Sequence, residues 1–259
     1  MELPIFQVDA FTGHLFGGNP AAVVIVPQWL SDETMQAIAA ENNLAETAFV
    51  VPLQGEFGLR WFTPEVEVDL CGHATLASAH VLFNHGYAVP PAISFRYQGG
   101  TLTVTRQGEL LALRFPSRPP HPAQCDAAIA AALGATPREV YRARDLLAVF
   151  DTQQEVEALR PDFRAISLLD TFAVIASAPG KECDFVSRFF SPKVGIPEDP
   201  ATGSSHCTLV PYWSERLGKK KLHALQLSRR KGEIFCEHQG EQIEIAGRAV
   251  EYLRGHIVL

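Results

Sequence analysis

Two glycines stand where oxyanion chemistry is easily built. Gly72 lies in Cys71-Gly72-His73-Ala74-Thr75 and Gly203 in Asp199-Pro200-Ala201-Thr202-Gly203-Ser204-Ser205, and each turn opens an apolar segment of helical character. The first turn of a helix has backbone N–H groups without intrahelical acceptors, and glycine lets a ligand come close to them. Each turn can therefore hold a carboxylate or a developing oxyanion. Two such turns facing each other suit an enolate-like intermediate, formed when a base takes a proton from carbon next to a carboxyl group.

A repeat links the two turns. Arg60-Trp61-Phe62-Thr63-Pro64-Glu65-Val66 recurs 128 positions later as Arg188-Phe189-Phe190-Ser191-Pro192-Lys193-Val194, with Arg, Phe, Pro and Val in the same register. Each copy precedes one of the small-residue turns. A spacing of about half the chain reads as a duplicated fold with two related lobes, each presenting a helix N-terminus to one shared site.

Other constellations carry less. Cys71 precedes Gly72, but the residue before Gly203 is Thr202, which supplies no thiolate, so a two-thiol racemase mechanism does not fit. A one-thiol dehydratase or epimerase stays open. Cys71, His73, His206 and Cys207 do not have the spacing of a tetrahedral zinc frame, and no metal is expected. Gly17-Gly18-Asn19 lacks the Lys-Ser/Thr of a phosphate loop and the spacing of a dinucleotide fingerprint.

The elements that must position these residues are strands with few helices. Strands are expected over Ile5–Ala10, Ala21–Val26, Thr47–Val51, Ile93–Tyr97, Thr101–Thr105 and Leu110–Phe115. Ser31 caps a helix carrying Met35, Ile38 and Ala39, which Asn42-Asn43 ends. Thr75–Phe83 is small and apolar nearly all round, as a helix buried inside a sheet would be. The run Pro116-Ser117-Arg118-Pro119-Pro120-His121-Pro122 cannot continue a sheet, which places the lobe boundary there: 1–117 and 118–259, with terminal strands free to cross between lobes. The second half offers a helix over Asp126–Leu133, strands near Leu146–Phe150 and Thr171–Ser177, a buried helix over Cys207–Leu217, and three closing strands over Leu225–Leu227, Ile234–Glu237 and Gln242–Ile245. Asp170-Thr171-Phe172 echoes Asp9-Ala10-Phe11 faintly.

Composition narrows the class. With 259 residues, 47% hydrophobic, the chain can build two cores, and a net charge of −7 argues against a nucleic-acid surface. No window approaches the run of about 18 apolar residues that a membrane span needs. Five widely spaced cysteines without a CxxC suit a reduced, cytoplasmic protein.

Asn42-Asn43-Leu44-Ala45-Glu46-Thr47-Ala48-Phe49, Phe62-Thr63-Pro64, the Cys71 turn and Glu198-Asp199-Pro200-Ala201-Thr202-Gly203-Ser204 occur in this order, with Gly18-Asn19-Pro20-Ala21 ahead of them. Together they resemble the PhzF-like phenazine-biosynthesis family, from Val8 to about Trp213 and weakly beyond. The resemblance implies an α+β, diaminopimelate-epimerase-like fold: two pseudo-symmetric lobes, each a sheet or barrel wrapped around a central helix, with the site in the cleft between them. It implies a cofactor-independent isomerase in which Glu46 removes a proton from a small carboxylate and returns it elsewhere. A closed cleft that excludes water lets one carboxyl group do both jobs. By motif, His73 and Asp199 join Glu46 as catalytic residues, and Gly72, Gly203, Ser204 and Asn19 bind substrate. At a helix start His73 should stay neutral, since the dipole disfavours imidazolium. The resemblance, with strand edges that need covering, points to a homodimer. A non-catalytic ligand-binding member of the same fold is the rival reading, against which the presence of Glu46, His73 and Asp199 together speaks.

Overall fold

The computed structural model describes every residue from Met1 to Leu259. Its contacts group the chain into two compact units, Met1–Arg114 with Ala246–Leu259, and Phe115–Ile245. No helix is long and apolar enough to cross a membrane.

The first unit opens with β1 (Glu2–Ala10), β2 (Asn19–Ile25), α1 (Asp32–Asn42), β3 (Glu46–Pro52), β4 (Phe57–Phe62) and β5 (Glu67–Val68). It continues with α2 (Gly72–Asn84), β6 (Ala92–Tyr97), β7 (Gly100–Gln107) and β8 (Leu110–Pro116). Ser31 accepts the Thr34 N–H at 3.2 Å to start α1, and Asn43, in the left-handed region at φ 49°, ends it. These caps lie where the sequence placed them.

Ten of the thirteen residues of α2 are buried, and the helix packs against β1, β2, β3 and β7. Hydroxyl groups inside such a helix need partners. Thr75 donates to the Cys71 carbonyl at 2.6 Å and Ser78 to that of Ala74 at 2.8 Å, so each spends its hydroxyl on its own helix. Leu76, fully buried at the helix centre, has no room to be lost quietly. Leu76→Ala should cost about 2–5 kcal/mol through the cavity it leaves, read as a lowered urea midpoint; a change below about 1 kcal/mol would contradict a packed central helix.

The second unit holds β9 (His121–Ala123), α3 (Ala127–Leu133), β10 (Glu139–Arg142), β11 (Leu146–Val149), α4 (Gln153–Ala158) and α5 (Phe163–Leu168). Then come β12 (Val174–Pro179), β13 (Phe185–Ser191), a single 3₁₀ turn at Pro192–Val194, β14 (Ile196–Asp199), α6 (His206–Leu217), β15 (Lys221–Gln226), β16 (Gly232–Gln239) and β17 (Gln242–Gly247). Pro211 sits inside α6 and has no N–H to give the Cys207 carbonyl. The Arg118 N–H bonds that carbonyl instead, at 2.8 Å. Trp213 is anchored by its indole N–H on Ser177 Oγ at 2.9 Å and by stacking on Phe185.

The duplication is written in the strand pairings. β1 and β2 are antiparallel, β2 and β3 parallel, β3 and β4 antiparallel, β4 and β5 antiparallel, and β4 and β6 parallel. The same sequence of senses recurs from β10 to β11, β12, β13, β14 and β15. The repeated arginines have equivalent jobs. Arg60 of β4 forks Glu67 of β5 at 2.7 and 2.6 Å and lies over Phe62, while Arg188 of β13 forks Glu198 of β14 at 2.7 and 2.9 Å and lies over Phe190. The motif that marked the repeat is thus a strand with a bidentate pair to the next strand.

β18 (Ala249–Val258) pairs antiparallel with β1 along its length and groups with the first unit, a crossing that the boundary at 117 left open for terminal strands. Two expectations need correction. The Pro-rich run does not exclude strands: β8 ends on Pro116, and His121-Pro122-Ala123 pairs with β10, since proline removes one donor and leaves its carbonyl available. The echo of Asp9-Ala10-Phe11 in Asp170-Thr171-Phe172 does not correspond in topology. Asp9 lies next to last in β1 and is buried, whereas Asp170 is exposed ahead of β12, and the counterpart of β1 is β10.

Candidate functional site

In the first unit, element starts bring four side chains together. Asn19 is the first residue of β2 and Glu46 the first of β3, so these parallel strands present them on neighbouring ends, while Cys71 caps α2 and His73 lies in its first turn. The turn into β2 requires glycine at position 18, where φ is +56° and an added Cβ would sit 2.0 Å from the Ala10 carbonyl oxygen. All four residues are buried.

His73 is the hub. Its Nε2 stands 2.9 Å from Oε2 of Glu46, and its Nδ1 is 3.2 Å from Asn19 Nδ2 and 3.5 Å from Cys71 Sγ. Oε2 is buried and has no hydrogen-bond partner beyond this ring nitrogen. That lone pair stays open to a substrate proton.

The charge state of His73 differs from the expectation. Burial, the largest influence, opposes an imidazolium, yet Cys71 and Glu46 together hold the ring well above the ordinary histidine range. The helix dipole is worth about 0.3–1 kcal/mol, whereas unit charges about 4 Å apart interact by roughly 4 kcal/mol at an effective dielectric near 20. The carboxylate wins. Because the folded ring binds its proton more tightly than the unfolded one, this pair contributes stability fully below the usual histidine pKa of 6.5, and loses it as pH rises through the raised value. Burial, then the Glu46 charge, push the Cys71 thiol up.

In the second unit, Asp199 ends β14 opposite Phe189 of β13 and accepts a short hydrogen bond from the Thr202 hydroxyl. Gln226, fully buried, ties the loop down: its Oε1 accepts the Thr202 N–H at 2.8 Å and its Nε2 donates to the Asp199 carbonyl at 2.7 Å. Gly203 does not open the helix as expected. α6 starts at His206, and Gly203, Ser204 and Ser205 form a preceding turn whose carbonyls accept from His206, Cys207 and Thr208. The small residues wind this tighter turn first. Ser204 Oγ accepts from Arg144 at 3.3 Å, and Arg144 in turn forks the buried Asp145 at 2.9 and 2.8 Å.

Glu46, His73, Cys71 and Asn19 therefore form one cluster, and Asp199, Gly203 and Ser204 lie on one loop and turn. Sequence reasoning missed Gln226, Arg144 and Asp145, which support that loop from strands or turns distant in the chain and carry no local pattern. His206 was weighed only as a metal ligand. Its Nδ1 instead lies 2.8 Å from the Thr202 carbonyl, its Nε2 is buried without a partner, and burial presses it down to about 4.

The family model for phenazine biosynthesis-like proteins matches residues 8–255. The chain belongs to this PhzF-like family. An uncharacterized isomerase of Pseudomonas aeruginosa is 49% identical over the full length of both chains. A PhzF-family crystal structure from Enterococcus faecalis is 45% identical and superposes with a TM-score of 0.98, covering 100% of both chains. A hydroxyproline epimerase from Agrobacterium vitis, 11% identical, shares the fold at a TM-score of 0.64 over 99% of this chain and 92% of that one. The fold is thus α+β and epimerase-like, and the PhzF-like protein is an isomerase.

Proposed function

We propose that this PhzF-like isomerase moves a proton on a small carboxylate without a cofactor, with Glu46 as the acid and base. The observation that carries the reading is the buried Glu46 Oε2, which has no hydrogen-bond partner beyond the His73 ring at 2.9 Å. Glu46 takes the proton from a carbon next to the substrate carboxyl group, and the C–H electron pair passes into an enolate. The Glu46 proton then returns to another position, and the charge on the enolate collapses. His73, held by Asn19, keeps the carboxyl group oriented and balances its charge. The Gly72 N–H at the start of α2 holds the substrate carboxylate or the enolate, and Gly203 and Ser204 offer groups of the same kind, with the Asp199 carboxylate, on the loop and turn before α6. We also assign the protein to a reducing cytoplasm, consistent with five free cysteines, and to a homodimer.

Incubation with a panel of small hydroxy, amino and unsaturated carboxylates in D2O tests this. Deuterium from solvent is expected in the substrate that turns over; binding without any exchange would make the protein a ligand-binding module. The Cys71–His73 contact favours one second reading, a one-thiol dehydratase or epimerase. Cys71→Ala separates the two. Activity within about tenfold of wild type is expected, because a thiol base is worth about 10²–10⁴-fold where it is used, and a loss of that size would move the assignment to the thiol.

A further inference from the structure

Glu46, Cys71 and His73 have ligating atoms that all lie within 4.8 Å of one another, and all three residues are buried. We infer that this trio is also a binding site for a thiophilic divalent cation such as zinc, with Cys71 Sγ, His73 Nε2 and Glu46 Oε2 as ligands. The donor set is of the right kind: thiolate, imidazole and carboxylate are the three ligand types zinc takes.

The separations suit one ion. Bonds of about 2.3 Å to sulfur and about 2.0–2.2 Å to nitrogen and oxygen put tetrahedral donors roughly 3.3–3.6 Å apart. Nε2 stands 3.9 Å from Sγ and 2.9 Å from Oε2, and all three donors lie within 4.8 Å of one another, so ligation requires the ring and carboxylate to part and the thiol to draw in. Oε2 is buried with no hydrogen-bond partner beyond the His73 ring, which leaves it capacity to ligate an ion. A metal on Nε2 puts the ring proton on Nδ1, so Asn19, whose Nδ2 lies 3.2 Å from Nδ1, must turn its Oδ1 to accept that proton, the usual outer support of a metal-bound imidazole. This is a different set from the one the sequence suggested, since His206 Nδ1 is engaged by the Thr202 carbonyl.

Three protein ligands leave a fourth position open to water or a small carboxylate. On binding, the thiol proton, and the ring proton where present, leave to solvent. Occupancy also consumes the Glu46 lone pair and stops proton transfer. That consequence rests on the proposed reaction; the binding itself does not.

Co2+ titrated into the metal-free full chain, followed by the near-ultraviolet sulfur-to-cobalt absorption, provides the test. One equivalent should saturate the band, and Zn2+ should displace it. Cys71→Ser should lose the band, His73→Gln and Glu46→Gln should weaken binding by at least about tenfold, and Asn19→Ala by about tenfold, the usual size of an outer-support loss. Cys125→Ser and Cys183→Ser, at the two thiols that are only partly buried, should change nothing. Absence of the band in wild type, or its persistence in a folded Cys71→Ser, overturns the site; if that variant does not fold, unchanged affinity in both His73→Gln and Glu46→Gln does so. Saturated binding with undiminished turnover keeps the metal site and overturns Glu46 as the base.

Discussion

Glu46→Gln should lower turnover by about 10²–10⁴-fold, the usual value of a general acid or base, while leaving substrate affinity and the folded state close to wild type. The amide keeps the shape of the carboxyl group and removes its capacity to take a proton. Glu46 begins β3 beside Ala21 of β2, so its backbone is held by the strand ladder whichever side chain it carries. The change nevertheless removes the charge beside His73, whose raised affinity for a proton depends in part on it. The ring should titrate lower in the variant, which histidine resonances would report. Steady-state rates with a turned-over carboxylate, together with its dissociation constant, decide the point. More than about a tenth of the wild-type rate would remove Glu46 as the sole base.

His206 should make the protein acid-sensitive. Burial holds its ring down to about 4 from an ordinary 6.5, so between those values the unfolded chain binds a proton that the folded one refuses. Stability therefore falls as pH drops through that window, by about 3 kcal/mol in total, and levels off below it. His206→Asn keeps a donor near the place of Nδ1, which faces the Thr202 carbonyl at 2.8 Å, and has nothing to titrate. Urea unfolding at pH 7 and pH 4.5 should show the wild type losing about 2 kcal/mol or more, and the variant distinctly less. The variant will be weaker at pH 7, because the ring it lacks packs beside Phe185. An identical loss in both proteins would mean that His206 is not the acid-labile group.

The fold was legible in the chain to an unusual depth because duplication writes each piece twice. The Arg60 and Arg188 motifs marked equivalent segments without showing them to be strands, and Ser31, Asn43 and Asp126 marked helix ends through hydrogen bonds that reach only a few residues. Thr75–Phe83 could be recognised as a buried helix since its composition leaves no polar face. Elements without such a signature escaped. The helices α4 and α5, the strands β10 and β14, and β18 are short, half-exposed or mixed in pattern, and burial against distant partners decides them.

The candidate site divides in the same way. Sequence by itself determined the family, the isomerase class, the epimerase-like fold and the identity of the residues worth watching, because each motif is local: a turn, a cap, a strand start. Tertiary structure alone decided which of them touch. Glu46 reaches His73, and Asn19 reaches the other ring nitrogen, because the pairing of β1, β2 and β3 aligns strand ends from three places in the chain above the start of α2. Gln226 and Arg144 brace the Asp199 loop across 27 and 60 residues respectively. β18 returns to β1 from the far end of the chain. The charge on His73 was likewise beyond the sequence, which carries the helix dipole but not the distance to a carboxylate. Proton affinity depends on burial and on separations of a few ångströms, and strand register, not residue spacing, sets both.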